Sequence, residues 1–356
     1  MKILTVVGAR PQFVKAYPVS RRLRRDHEEV LVHTGQHYDE ALSDVFFDEL
    51  GIPEPDHHLG VGSGPHGEQT AAMIAGIEDR LADEDPDLVL CYGDTNSTLA
   101  AGIVASKTEI PLAHVEAGLR SDDRGMPEEV NRVLTDHAAD CLLAPGEAAA
   151  ENLRAEGITD GVFVTGDVMY DAVLLVRDRA ATRSTMLADL GVAAGEYVLA
   201  TVHRAHNTDD PDRLAGILDA LAAVDDEVVF PAHPRTTDAM REYGLYEDAA
   251  EELTLVDPAG YVDFVALVAD ARAVATDSGG VQKEAFFLDT PCVTLRDTTE
   301  WTETVEAGWN VLVGSDPDRI REALTGAFDL PADRPQPYGE GDAASAVTTA
   351  LESVAP

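Results

Sequence analysis

Three carboxylates stand where an apolar chain would not spend a charge without reason. Glu116 closes the apolar run of His114-Val115, Asp94 follows Tyr92-Gly93 at the end of another, and Glu128 lies in the acidic start Pro127-Glu128-Glu129 of a helix-like stretch. A carboxylate at the end of a buried strand is costly unless it is paired or functional. Local alternatives exist for two of them. Asp94, Thr95, Asn96 or Ser97 would serve as a helix N-cap, and Glu128 would suit the positive end of a helix dipole. Three such groups at neighbouring ends of one sheet edge should raise and split one another's pKa values, the condition for proton transfer.

The complement is basic and glycine-rich. Arg10 and Lys15 follow the small turn Gly8-Ala9, where a helix start would either bind an anion or carry a solvated basic face. His203-Arg204 and Pro231-Ala232-His233 end two further apolar runs. Asp277-Ser278-Gly279-Gly280 opens another helix, where glycines let backbone N–H groups approach a phosphate and Glu284, one turn on, can accept from ribose hydroxyls. Together these predict a nucleoside diphosphate. Neither Gly-x-Gly-x-x-Gly nor Gly-x-x-x-x-Gly-Lys-Ser/Thr occurs, which disfavours NAD and P-loop chemistry, and no ligand spacing suggests a metal.

Apolar runs of strand length alternate with amphipathic stretches of helix length, the pattern of βαβ units and parallel sheets. Strands are predicted at 2–7, 29–33, 87–92, 111–115, 141–144 and 162–165, then at 197–202, 227–231, 253–256, 271–276, 292–295 and 310–313. The fold class is therefore α/β with two Rossmann-like domains facing across a cleft. The first, 1–167, carries the carboxylates, and the second, 168–340, binds the nucleotide. A last helix within 341–356, set off by Pro331, Pro335 and Pro337, should pack back on the first domain.

The chain has 356 residues, 66 acidic and 26 basic, for a formal net charge of −40. That excludes nucleic acid as a partner, because no positive field neutralises phosphates. Acids spread along the whole chain predict a halophilic surface screened by a salty cytoplasm, in preference to a platform for basic proteins. No window reads as a membrane span and no signal peptide is visible, so the expected location is cytoplasmic, with no membrane partner. Cys91, Cys141 and Cys292 sit in apolar runs and predict inert core thiols.

The ordered set Gly-Ala-Arg-Pro-Gln at 8–12, Gly-Asp-Thr at 93–95, His-Val-Glu-Ala-Gly-Leu-Arg at 114–120, Pro-Glu-Glu-Val-Asn-Arg at 127–132, Thr-Val-His-Arg at 201–204 and Asp-Ser-Gly-Gly-Val-Gln-Lys-Glu-Ala at 277–285 closely resembles the non-hydrolysing UDP-N-acetylglucosamine 2-epimerase family. The resemblance implies a glycosyltransferase-B-like fold, a homodimer, no cofactor, and interconversion of UDP-GlcNAc and UDP-ManNAc through elimination of UDP and re-addition. It implies that Asp94, Glu116, Glu128 and His203 are catalytic. Arg10, Ser278, Gly279 and Gly280, with His203, would hold the diphosphate and Glu284 the ribose. Lys15, Arg120, Arg132, Arg204 and His233 complete the implied substrate-binding set. Three departures stand out: Gln12 where relatives have glutamate, Thr299-Glu300-Trp301-Thr302-Glu303 where many have Thr-Glu-Arg-Pro-Glu, and His206 where glutamate is common. A branch of the family acts on UDP-2,3-diacetamido-2,3-dideoxyglucuronic acid, the alternative substrate. A transferase of the same architecture would leave the three carboxylates unexplained, and a sugar-binding protein without catalysis is the remaining alternative.

Overall fold

The computed structural model describes residues 1–36, 54–121, 123–326 and 328–354. These residues fall into two compact units, the first running to Ala172 and resuming at Gln336, the second spanning Val173–Pro335.

In the first unit the strands are β1 (Lys2–Val7), β2 (Glu28–His33), β3 (His57–His58), β4 (Leu88–Tyr92), β5 (Leu112–Val115), β6 (Cys141–Ala144) and β7 (Val162–Val164). All pair in parallel, in the order β3-β2-β1-β4-β5-β6-β7. The second unit holds β8 (Tyr197–Thr201), β9 (Glu227–Pro231), β10 (Thr254–Val256), β11 (Ala273–Thr276), β12 (Cys292–Thr294) and β13 (Asn310–Leu312). Its order is β10-β9-β8-β11-β12-β13, again parallel throughout. Central strands such as Leu-Val-Leu-Cys-Tyr in β4 are buried along their whole length, as strands covered by helices on both faces must be. In each sheet the winding reverses next to the first strand, between β1 and β4 and between β8 and β11, and ligands of doubly wound sheets bind at that crevice.

Every strand predicted from the apolar runs is present, with ends that differ by no more than two residues. The exception is β3, which had no counterpart because two histidines carry no readable periodicity. The boundary expected between 167 and 168 falls after Ala172, inside the helix Val168–Arg183. The first turn of that helix is held to unit one by Asp171, whose carboxylate accepts from the N–H groups of Ala343 (3.0 Å) and Ala344 (2.9 Å). It thereby caps the helix Ala343–Val354, whose Val347 and Leu351 are buried and which lies along the helix Arg10–Leu23. The chain rejoins unit one before 341 because the N–H of Asp167 donates to the carbonyl of Tyr338 at 2.9 Å. Among the described residues no helix is long and apolar enough to cross a membrane. All three cysteines are free and buried, and burial pushes the thiols of Cys141 and Cys292 up to about 12.

Candidate active site

In the first unit the chemistry collects where β1, β4 and β5 end. The turn after β1 is stitched by Gln12, 1% exposed. Its side-chain oxygen accepts from the N–H of Gly8 (2.7 Å) and Ala9 (3.1 Å), while its amide donates to the carbonyl of Tyr92 (2.7 Å) and to Thr98 Oγ1 (3.0 Å). An ionised glutamate could not make the two donations, so the glutamine at this position is matched to its partners. Gly8 itself is required, since a Cβ there would run into Ser97 and Thr34.

Glu116 follows β5 with φ at +73°, a left-handed conformation that a side chain with a Cβ adopts at a cost of about 1–3 kcal/mol. It persists because the N–H groups of Glu116 and Ala117 both donate to the carbonyl of Leu143, at 3.0 and 3.2 Å. The carboxylate is ion-paired and hydrogen-bonded to Lys15 Nζ. Burial works to lower the Lys15 pKa, but Glu116, Asp94 and Asp167 outweigh it and hold the ammonium above its ordinary value. Asp94, at the end of the β4 turn, is ion-paired with Arg132, which also reaches the buried Glu129 at 3.2 Å. Asn131 donates to the backbone carbonyl of Asp94 at 3.0 Å. Two of the three acids thus each have a cation, the pairing that a charge at the end of an apolar strand requires. Glu128, in the first turn of the helix Pro127–Asp136, is exposed and joins neither pair.

Arg120 is paired as well. Its guanidinium donates to Asp136 (2.7 Å), to both oxygens of Glu156 (2.7 and 2.8 Å) and to the carbonyl of Leu119 (2.7 Å), so four of its five N–H donors are taken up by the protein itself. Arg10 begins the helix Arg10–Leu23 and is exposed at the carboxyl end of β1.

In the second unit the organiser is a residue the motif reading passed over. Asp277 ends β11 fully buried and accepts from the N–H of His203 (3.1 Å) and Arg204 (2.9 Å) and from Asn207 Nδ2 (3.1 Å). It folds the turn after β8 onto the turn after β11. Like Glu116, Asp277 is a charge that closes an apolar strand, so the same sequence signal marks it. His203 Nδ1 lies 3.5 Å from the same carboxylate, and its ring is 5.6 Å from that of His233. Burial lowers the His203 pKa, Asp277 opposing and His233 and Arg204 reinforcing. His233 caps the helix Pro234–Tyr243 by accepting from the N–H of Arg235 at 3.2 Å.

Ser278 precedes the helix Gly279–Phe287, so the N–H groups of Gly279 and Gly280 belong to its unsatisfied first turn. Glu300 stands over that turn: a Cβ at Gly279 would strike its carboxylate, which lies 2.9 Å from Arg296 and 3.7 Å from Arg204. Glu284, one turn in, is buried and accepts from the Tyr261 hydroxyl at 2.9 Å.

Two doubly wound parallel units, one with glycines opening a helix at its switch point and one with paired carboxylates, have the Rossmann-like, glycosyltransferase-B-like architecture of solved epimerase structures. The crystal structure of a Methanocaldococcus jannaschii UDP-GlcNAc 2-epimerase in complex with UDP-GlcNAc and UDP matches with a TM-score of 0.82 and 40% identity, over 99% of this chain and 100% of that one. A family model described as UDP-N-acetylglucosamine 2-epimerase matches residues 21–352. A Methanococcus maripaludis protein named UDP-N-acetylglucosamine 2-epimerase homolog is 48% identical over 99% of this chain and 100% of its own. The UDP-2,3-diacetamido-2,3-dideoxy-D-glucuronate 2-epimerase of Pseudomonas aeruginosa is 46% identical over 99% of each chain. The chain belongs to the UDP-N-acetylglucosamine 2-epimerase family, and its activity is that of a nucleotide-sugar 2-epimerase, an isomerase.

Proposed function

We propose that the protein interconverts UDP-GlcNAc and UDP-ManNAc by eliminating UDP and adding it back. The observation that carries this reading is the pairing of Glu116 with Lys15 and of Asp94 with Arg132 at one switch point. The C2 proton of the sugar is not acidic. A carboxylate removes it as the C1–oxygen bond breaks, the C2–H electrons forming the C1=C2 double bond and the C1–O pair leaving with UDP. The neutral 2-acetamidoglucal then takes a proton at C2 on the opposite face while the UDP oxygen rejoins C1, so atoms and electrons balance without an external oxidant. Asp94, Glu116 and Glu128 are assigned to the sugar end, with Lys15 and Arg132 ion-paired to two of them and aiming them. His203, Arg204, His233, Ser278, Gly279 and Gly280, with Arg10, are assigned to the diphosphate, and Glu284 to the ribose. Backbone N–H groups at a helix start and flanking cations stabilise the charge that grows on the departing UDP.

The relative from Pseudomonas aeruginosa favours a second substrate, UDP-2,3-diacetamido-2,3-dideoxyglucuronic acid, epimerised at the same carbon by the same steps. Incubation of the purified protein with each UDP-sugar in D₂O, followed by proton NMR, separates the readings. Deuterium appears at C2 of the true substrate without any acceptor; exchange that requires an acceptor, or none on either sugar, overturns the reading. A second copy of the chain is the proposed partner, supported by the exposed apolar line Met126, Val130 and Leu134 at four-residue steps, and a monomer mass in sedimentation at molar salt would remove it.

A further inference from the structure

His114 lies in β5 with no exposed surface, and both of its ring nitrogens face acceptors. Nε2 is 2.7 Å from the carbonyl oxygen of Gly93, and Nδ1 is 2.7 Å from Asp136 Oδ1. The other oxygen of Asp136 accepts from the N–H of Gly118 at 3.1 Å and from Arg120 at 2.7 Å, and Arg120 is clamped in turn by both oxygens of Glu156. This network touches the backbone on either side of the proposed chemistry. Gly93 is bonded to Asp94, and Gly118 lies two residues beyond Glu116. All three turn positions adopt left-handed backbone, with φ at +63° for Gly93, +73° for Glu116 and +83° for Gly118. Lys15 and Arg132 restrain the carboxylates only at the tips of long side chains, whereas the His114–Asp136 pair restrains the peptide unit that joins Gly93 to Asp94 and the one that joins Ala117 to Gly118, next along the turn from Glu116.

We propose that His114 and Asp136, anchored by Arg120, are positioning residues that set the spacing of Asp94 and Glu116 for proton transfer at C2. The inference rests on the epimerase reading above and adds residues outside the set that touches substrate. Misplacing a reacting group by about 1 Å costs on the order of 10²-fold in rate, and charge-assisted hydrogen bonds in a dry interior are the stiffest restraint the chain has available.

The test uses His114→Phe, His114→Gln and His114→Asn, with steady-state kinetics and C2 deuterium exchange on the better UDP-sugar and calorimetry of UDP binding. His114→Phe should lower kcat by at least about tenfold while leaving KM and UDP affinity within about twofold. Glutamine keeps a donor near the Nε2 position, so it should restore part of the rate. Asparagine keeps only the Asp136 contact and should restore less. That ordering also decides the matter if the phenylalanine variant does not fold. Wild-type kcat in the folded phenylalanine variant, equal rates for the glutamine and asparagine variants, or a loss of UDP affinity matching the loss of rate would each overturn the proposal. Wild-type protein that exchanges deuterium on neither sugar would instead overturn the epimerase reading, so the two failures are distinguishable.

Discussion

At the scale of single residues, the ion pairs around Asp94 and Glu116 predict large and separable effects. Glu116→Gln and Asp94→Asn keep the shape but remove the base, and each should lower kcat by roughly 10²-fold or more with UDP binding largely kept; unaltered turnover in either would remove that residue from the chemistry. Glu128→Gln tests the exposed acid in the same way, and since Glu128 is ion-paired to none of the described residues it is the one most dependent on substrate for its position. His203 makes a different prediction. Burial keeps its pKa below the ordinary value, so the unliganded imidazole is neutral at pH 7, and a bound diphosphate favours the charged form. UDP binding should therefore take up a proton and tighten as pH falls from 8 to 6. Calorimetry in buffers of different ionisation enthalpy reads this directly, and heats independent of the buffer would detach His203 from the diphosphate.

At the scale of elements, the start of the helix Gly279–Phe287, assigned above to the diphosphate, already has a carboxylate over it. Glu300 occupies the positive end of that helix and draws on Arg204 and Arg296, the interactions a diphosphate would use. Glu300→Gln should tighten UDP binding by roughly threefold or more, the scale of one exposed charge at a helix terminus. Calorimetry showing weaker binding would mean that Glu300 serves to aim the arginines instead. Much of this level was legible in advance, because strand and helix ends were where charge interrupted apolar runs. The partners were not: Arg120 and Arg132 both belong to the motifs around the carboxylates, yet the first is paired with Asp136 and Glu156 and the second with Asp94 and Glu129.

At the scale of the whole molecule, charge and buried histidine make opposite demands on solution conditions. With a formal charge of −40, self-repulsion opposes compactness, and screening relieves it. The melting temperature should rise between 0.1 and 2 M KCl, and a flat or falling curve would contradict a salt-adapted surface. His33 is buried and its Nδ1 accepts from the N–H of Gly35 at 2.7 Å, so the fold holds the neutral ring. Burial lowers its pKa to about 4, from an ordinary value of 6.5. The unfolded chain therefore binds a proton that the fold refuses, and stability complete above pH 6.5 is lost as pH falls towards 4, by up to roughly 3 kcal/mol. His33→Asn keeps an acceptor for Gly35 and should flatten that part of the pH–stability curve; an unchanged slope in denaturant unfolding would assign the loss to other groups.

The amino-acid sequence by itself determined the alternation of strands and helices, the two-sheet organisation, the return of the last helix to the first unit, and the order of motifs that marks the family. Periodicity, caps and turns act over a few residues and can be read along the chain, and the prolines at 331, 335 and 337 mark where the last helix is set off from the second unit. Only the tertiary structure decided which charges meet. Lys15 and Glu116 come together from the helix after β1 and the turn after β5, Asp277 gathers the turn after β8 from beyond a strand far along the chain, and His114 joins Gly93 to Asp136 through the core. Each of these depends on strand order and register in a parallel sheet, where residues distant in sequence become neighbours at one edge, and no local spacing encodes that proximity.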